Sequence, residues 1–288
     1  MNVVVVVTIV HGRSTHLARQ HAGLLRSTRL PDLHVVVAMD DPSVQAVDDG
    51  PFERVVVHVG ADLDGLPLAH ARNVGARTAL AAGADVVVFL DVDCIPAPEL
   101  VAAYASAAAH PSTCDDLLCG PVAYLPPVPD GEDDYDLDTL GGLAEPHAAR
   151  PAPAPGAVVR DARGHDLFWS LSFALRATGW AAIGGFDERY VGYGGEDTDF
   201  ARRAARAGRG MAWVGAARAF HQHHPVSSPP VEHVADIVRN AGIFHDTWGR
   251  WPMGGWLDAF ERSGLVGRLD DGSYVVREAG PCPAGASR

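Results

Sequence analysis

The chain has 288 residues and a formal net charge of −13. That length suits one large domain or two small ones, and 47% hydrophobic residues supply ample material for a core. The acidic balance argues against non-specific nucleic-acid binding, which needs basic patches. Cys94, Cys114, Cys119 and Cys282 have neither zinc-finger spacing nor disulfide density, so a reducing compartment is expected. The N-terminus, MNVVVVVTIV, has no basic leader and only a short apolar run; it reads as a strand. No later stretch is long and apolar enough to span a bilayer, so no transmembrane segment is expected.

In chain order, Val3 to Val10 is a continuous apolar strand, followed by His11-Gly12-Arg13-Ser14 and a helix over Thr15 to Ser27, with Ser14 or Thr15 as N-cap. Leu33 to Met39 is a second strand ending in Asp40-Asp41, and Val55 to Val59 a third. Leu68 to Ala82 predicts a helix of small residues closed by Gly83. Val86 to Leu90 is a buried strand, with Asp91 and Asp93 at its end. Residues two apart on a strand share a side, so the two carboxylates make a place for a divalent cation, Mg²⁺ or Mn²⁺. A polar strand end capping the next turn is the plainer reading of Asp-x-Asp. Pro98-Glu99 opens another helix, with Pro at its first position and an acid in its first turn. Strands alternating with helices imply a parallel sheet, and ligands of such sheets sit beyond the strands' carboxyl ends. His11 to Arg13, Asp40-Asp41 and Asp91-Asp93 all fall there.

Leu125 to Arg160 is rich in Pro, Gly and acids. In DGEDDYDLD, at 130 to 138, neither the Gly of an EF-hand's sixth position nor the Glu of its twelfth falls in place, so we expect a mobile, solvated loop over the site rather than a second metal centre. Phe168 to Arg176 reads as a strand. In IGGFDERYVGYGGEDTD, Gly194 and Gly195 precede Glu196 and Asp197 at the start of a helix running to about Ala207. The acidic pair is either a capping pair on a Gly-rich turn or a general base facing an acceptor hydroxyl. The helix terminus favours its ionised form and burial opposes it. Met211 to Val214 is a further strand. AFHQHHP, from Ala219, is either a surface turn or a source of metal ligands. Val231 to Val266 is mainly helical, its tryptophans packing the extension on the core or forming a sugar platform, and the tail from Arg277 to Arg288 is frayed.

These segments together resemble the GT-A glycosyltransferases, close to the large family 2 class, with a second half similar to the β-1,4-galactosyltransferases and polypeptide N-acetylgalactosaminyltransferases. The resemblance spans most of residues 2 to 225. It implies an α/β fold with a mixed, mainly parallel sheet. Its domain is expected over 1–230, with a nucleotide half (1–120), a flexible loop (121–165) and an acceptor half (166–230), and a helical extension over 231–288. VVVVVTIVHGR resembles the first strand and loop that hold the nucleotide, implying contacts from Thr8, Val10, His11, Gly12 and Arg13. AMDD implies Asp40 and Asp41 at base or ribose. LAHARNVGAR resembles the A-R-N-x-G helix, implying Arg72 and Asn73 near the nucleotide. FLDVDC is the Asp-x-Asp motif, implying Asp91, Val92 and Asp93 at nucleotide and metal. IGGFDERYVGYGGEDTDFARRA resembles the acceptor and catalytic segment, and FHQHHP the loop supplying a metal ligand. The first loop departs from the Pro-Thr-Tyr-Asn type of many relatives, and Ser170 stands where relatives often have Gly.

The reaction this implies is inverting transfer from a nucleotide-diphosphate sugar, a UDP-sugar foremost, to an acceptor hydroxyl. Asp197 is expected as base with Glu196 orienting the acceptor. Trp169, Tyr193, Gly194 and Gly195 flank the acceptor. Asp93, with Asp91, His221 and His224, holds Mn²⁺ or Mg²⁺; among the histidines His221 is the first choice and His223 the last. The acceptor is a glycan, lipid-linked sugar, peptide or small molecule. The enzyme is expected in the cytoplasm, at most peripheral to the membrane's inner face. Two other readings are a non-catalytic GT-A binding protein and a sugar nucleotidyltransferase, although HGRS is a poor match to the latter's phosphate loop.

Overall fold

The computed structural model describes residues 2–45, 50–60, 65–129 and 131–277. Asp130, Cys282 and the expected tail after Arg277 therefore lie outside the described residues. The first half runs β1 (Val4–Val10), α1 (Ser14–Leu25), β2 (Leu33–Met39), β3 (Glu53–Val59), α2 (Leu68–Ala81), β4 (Val86–Leu90), β5 (Cys94–Pro96), α3 (Leu100–Ala109), β6 (Leu117–Cys119) and β7 (Val122–Tyr124). It continues with α4 (Leu140–Leu143), β8 (Glu145–Pro146), β9 (Val158–Val159), β10 (Ser172–Arg176), α5 (Ala177–Ile183), α6 (Glu196–Arg206), β11 (Met211–Val214) and β12 (Ala219–His221). Last come α7 (Val234–Trp248), α8 (Gly254–Arg262), β13 (Val266–Arg268) and β14 (Tyr274–Val276).

The main sheet has the order β3-β2-β1-β4-β10-β6-β11-β9. Its first four strands are parallel. β1, β2 and β4 are buried along their whole length, which is why they read as nearly continuous apolar runs, broken only by Thr8 and His34. β3 is the edge, and it begins at Glu53, two residues earlier than its apolar run, because an edge strand tolerates charge. β10 enters antiparallel beside β4 and stacks Phe173 on Phe89 at 4.5 Å. Phe168, Trp180, Phe186 and Phe200 join them in one aromatic core. Phe168 to Leu171 precede the strand rather than belong to it.

A second, four-stranded sheet, β5-β12-β7-β8, sets the geometry of the site. β12 pairs His221 with Cys94 on one side and with Tyr124 on the other. This places a histidine beside the turn that carries Asp93. The segment expected to be mobile and solvated is built into this sheet. Tyr135 and Leu140 are buried with Ile95, Leu125 and Phe220. Two of its acids are ion-paired, Asp134 with Arg19 of α1 at 2.5 Å and Asp138 with Arg26 just past that helix's end, while most of the segment's residues stay exposed, as a solvated loop's would.

Several local expectations change. Neither Ser14 nor Thr15 caps α1; the helix begins at Ser14 after Arg13, with no side-chain cap. Pro98 precedes Glu99, the N-cap of α3, so no acid lies in that helix's first turn. The C-terminal extension is not all helical: β13 and β14 form a hairpin around Gly272, which has φ +83°, and an Asp-Gly pair there was the available signal. The extension has its own core of Ile237, Ala241, Leu257, Phe260 and Val266, with Trp251 and Trp256 packed against it.

The small residues of α2 have a clear cause. A Cβ on Gly75 would lie 2.3 Å from Val7 Cγ1, on a buried β-branched side chain that cannot swing away. Gly75→Ala should therefore destabilise the fold by about 1–3 kcal/mol from overpacking, outweighing the ~1 kcal/mol gain in helix propensity. Urea denaturation of the two proteins checks it.

Candidate active site

The turn after β4 separates the two aspartates. Val92 and Asp93 form a turn rather than a strand continuation, and Cys94 N–H donates to Asp91 O at 2.8 Å. The strand alternation that would put both carboxylates on one side therefore does not apply. Asp91 faces Arg72, at 3.3 Å, whereas Asp93 faces Arg13, at 2.6 Å. Gln20 of α1 pins the turn from behind, its Nε2 donating to Asp91 O at 2.7 Å and Cys94 O at 3.2 Å. Gln20 Oε1 accepts from Thr8 Oγ1 at 2.8 Å.

Asp93, His221 and His224 bring one ligand atom each within 4.8 Å of one another. Asp91 is not in this group. His223 is exposed, and only its backbone N–H bonds, to Tyr135 Oη at 3.4 Å. The peptide of Gln222 locks the arrangement, donating to Asp93 O at 2.7 Å. His221 stacks on Tyr124 at 4.8 Å, and burial lowers its pKa to about 4. A neutral imidazole is the form that ligates metal. One carboxylate and two imidazoles suit a divalent transition ion such as Mn²⁺ better than Mg²⁺, which prefers oxygen ligands alone.

Glu196 and Asp197 open α6 after Gly194 and Gly195, at φ +94° and +93°. Both glycines are also tightly packed: added Cβ atoms would lie 3.0 Å from Met253 Sδ and 3.0 Å from the Tyr190 ring. The N-cap residue is Gly195, which brings no side chain to the helix start. Arg72 donates to Glu196 Oε1 at 3.2 Å as well as to Asp91, while Glu196 Oε2 is buried and unpaired. Asp197 accepts from Thr198 N–H at 2.6 Å. Burial is the largest influence on both carboxyls and prevails over Arg72 and the helix terminus. It raises Asp197 and, with the neighbouring Asp197 charge, lifts Glu196 to about 7.

Trp169 and Tyr193 occupy different settings. Trp169 is half-buried against His147, with the Arg150 guanidinium over its ring at 4.8 Å. Tyr193 is partly exposed, at 39%, and stacks on His233 at 4.7 Å. Burial and the Asp197 and Glu196 charges push the Tyr193 phenol up to about 12.

At the ends of β1 and β2, His11 Nδ1 meets Met39 O at 2.7 Å, and Gly12 N–H donates to Asp41 Oδ2 at 2.8 Å. Asp41 also accepts from Ser43, which holds its carboxyl below the usual range, and Asp40 is exposed at φ +44°. Other residues expected at the nucleotide are engaged elsewhere. Thr8 is fully buried between Gln20 and His34, so its hydroxyl serves the core. The Val10 and Val92 side chains pack together in an apolar cluster, leaving only their backbone for a ligand. Asn73 brackets Phe186, donating to its carbonyl at 2.9 Å and accepting from its N–H at 2.8 Å.

Sequence reasoning missed His16 and Gln20, spaced four apart on the helix that follows the first strand, a spacing that puts them on one face. It also missed the role of the extension. Asn240 Nδ2 donates to Val191 O at 3.0 Å and Tyr193 O at 3.3 Å, and Asp236 accepts from Tyr193 N–H at 3.2 Å. Trp248 Nε1 donates to Asp199 Oδ1 at 2.8 Å. The extension thus grips the loop bearing the acidic pair.

A family model described as the N-terminal domain of galactosyltransferase matches residues 164–225. Validoxylamine A glucosyltransferase of Streptomyces hygroscopicus subsp. limoneus is 30% identical over 219 residues, covering 69% of this chain and 47% of the relative. The protein of the same name from subsp. jinggangensis is 31% identical over 220 residues, covering 69% and 50%. The chain spans about half the length of these curated relatives. Among solved structures, GalNAc-T7 with UDP, GalNAc and Mn²⁺ superposes with a TM-score of 0.57 at 14% identity, over 92% of this chain and 58% of that one. S. aureus TarS 1-349 gives 0.56 at 15% identity, over 84% and 65%. The mannosyltransferase PcManGT of Pyrobaculum calidifontis, with GDP-Man and Mn²⁺, gives 0.51 at 16%, over 87% and 66%. At these identities the likeness is one of fold.

The raised Glu196 carboxyl has a thermodynamic signature. It binds its proton more tightly folded than unfolded, so its contribution is present below pH 4.5 and is lost as pH rises toward about 7. In denaturation across that window, Glu196→Gln should lose this slope, its stability gaining on that of the wild type as pH rises. Parallel pH traces would count against the assignment.

Proposed function

We propose that this chain, which has the GT-A fold of the nucleotide-sugar glycosyltransferases with a galactosyltransferase-type segment at 164–225, is an inverting, metal-dependent glycosyltransferase using a UDP-sugar. The observation that carries the proposal is a chain of contacts at the carboxyl end of β4: Asp93 gathers with His221 and His224 in the turn after the strand, and Arg72 spans from Asp91 to Glu196 of the acidic pair. The matched relatives, named as glucosyltransferases, support transfer of a sugar, and the neighbours crystallised with UDP or GDP-Man and Mn²⁺ support a nucleotide donor and a cation.

A divalent cation held by Asp93, His221 and His224 supplies charge to stabilise the departing diphosphate. His11, Gly12, Arg13, Asp40 and Asp41 surround the nucleotide. Asp91, neutralised by Arg72, faces the ribose side. The acceptor oxygen bonds to the anomeric carbon as the bond to the diphosphate breaks, and its proton passes to Asp197. Glu196, fixed by Arg72, orients the acceptor, with Trp169 and Tyr193 offering apolar ring faces to it. Residues 1–230 form the transferase domain, and residues 231 onward brace its catalytic loop. Among the described residues no helix is long and apolar enough to cross a membrane, and a cytoplasmic enzyme fits this reading.

Calorimetry of UDP, GDP, ADP and dTDP with Mn²⁺ or EDTA tests the donor side: UDP alone should bind tightly, and EDTA or Asp93→Asn should abolish that binding. Asp197→Asn should keep UDP affinity within about twofold while transfer falls roughly 10²–10⁴-fold. Undiminished turnover in Asp197→Asn would remove it as base. The wild-type rate should fall on the acid side, as protonation of the raised Asp197 carboxyl removes the base. Arg72→Met should move that limb to higher pH in a kcat profile, because Arg72 is the charge that holds the pair down.

A further inference from the structure

The cation site has a fourth neighbour that neither the motif nor the three-residue cluster includes. His16 lies in the first turn of α1. Its Nε2 is buried, has no hydrogen-bond partner, and sits 3.9 Å from Asp93 Oδ1. On the other side of the same carboxylate, His224 Nε2 lies 3.6 Å from Oδ2. The His16 and His224 rings meet edge to face at 6.4 Å, and those of His224 and His221 at 5.3 Å. Three imidazoles therefore surround one carboxylate.

The backbone holds His16 in this position from two directions. Gln222 Nε2 donates to His16 O at 3.1 Å, while the Gln222 peptide donates to Asp93 O at 2.7 Å. One residue of the histidine loop thus ties α1 to the Asp-x-Asp turn. A side chain meant only to pair with Asp93 would donate a hydrogen bond, yet Arg13 occupies Oδ1 at 2.6 Å and His16 makes none. A buried ring nitrogen without a partner is costly unless something else uses its lone pair.

We propose that His16 is a further ligand of the cation, giving the centre three imidazoles and Asp93. This rests on the metal-dependent reading above and deepens it. Such a nitrogen-rich set selects ions that accept imidazole, such as Mn²⁺, Co²⁺ and Zn²⁺, against Mg²⁺.

The test is titration of Mn²⁺ and Mg²⁺ into the full chain with and without UDP, with pulsed EPR of bound Mn²⁺ to read nitrogen hyperfine coupling. The wild type should bind Mn²⁺ more tightly than Mg²⁺ and show imidazole nitrogen coupling. His16→Ala and His16→Phe should weaken Mn²⁺ roughly 10–100-fold and reduce the nitrogen signal, with metal-free melting temperatures close to wild type. Unchanged Mn²⁺ affinity and nitrogen coupling in a folded variant overturn the proposal while leaving the cation reading intact. Lower UDP affinity with unchanged Mn²⁺ binding also overturns it, making His16 a diphosphate contact. A wild type that binds no Mn²⁺ with or without UDP removes the cation reading itself.

Discussion

Arg72 is the residue through which the two halves of the site are held at a fixed separation. Its guanidinium is buried, spans from Asp91 at the end of β4 to Glu196 at the start of α6, and lies over the Phe186 ring at 5.4 Å. Taking one partner from a buried ion set leaves an uncompensated charge, at about 3–5 kcal/mol. The neighbouring Asn73 uses both ends of its amide on the Phe186 backbone. Gly185 is required beneath it, since a Cβ there would lie 2.7 Å from Asn73 Oδ1. One turn of α2 thus fixes the electrostatics of the acidic pair with one side chain and the path of the approaching chain with the next.

The balance at that pair is between burial and a single cation. Two carboxyls at a helix N-terminus would ordinarily be strong acids. Here desolvation prevails and raises both. A carboxyl whose pKa is raised by burial holds a proton better than an ordinary aspartate does. Glu196 Oε2, buried without a hydrogen-bond partner, adds to the cost of ionising this carboxyl.

Much of the scaffold was legible because burial on both faces writes itself as nearly continuous apolar residues. β2, β4 and β11 have the bounds that their apolar runs imply. Acidic and histidine positions were legible as types, because chemistry limits which residues can hold a cation. Their directions were not. Whether Asp91 and Asp93 share a side depends on where the strand stops, and a strand that ends one residue before Asp91 turns them apart. Thr8 looked like a loop ligand, but its partners Gln20 and His34 lie 12 and 26 residues away. The pairing of β12 with β5 and β7 is equally non-local, and nothing short-range in FHQHHP announces it. The segment after Leu125 looked unstructured because its stabilising partners, Arg19, Arg26 and Phe220, are distant in the chain.

The grip of α7 on the Val191–Tyr193 backbone also bears on the order in which the molecule matures. The donor that satisfies the carbonyls of Val191 and Tyr193 is supplied from 49 and 47 residues farther along the chain. A ribosome delivers the acidic pair well before it delivers Asn240. Until α7 has docked, those carbonyls lack the side-chain donor that satisfies them in the mature fold. The sheet can form early from its own valines, but the loop that bears the acidic pair is completed late, and a nascent chain stopped short of α7 would carry the acids without that brace.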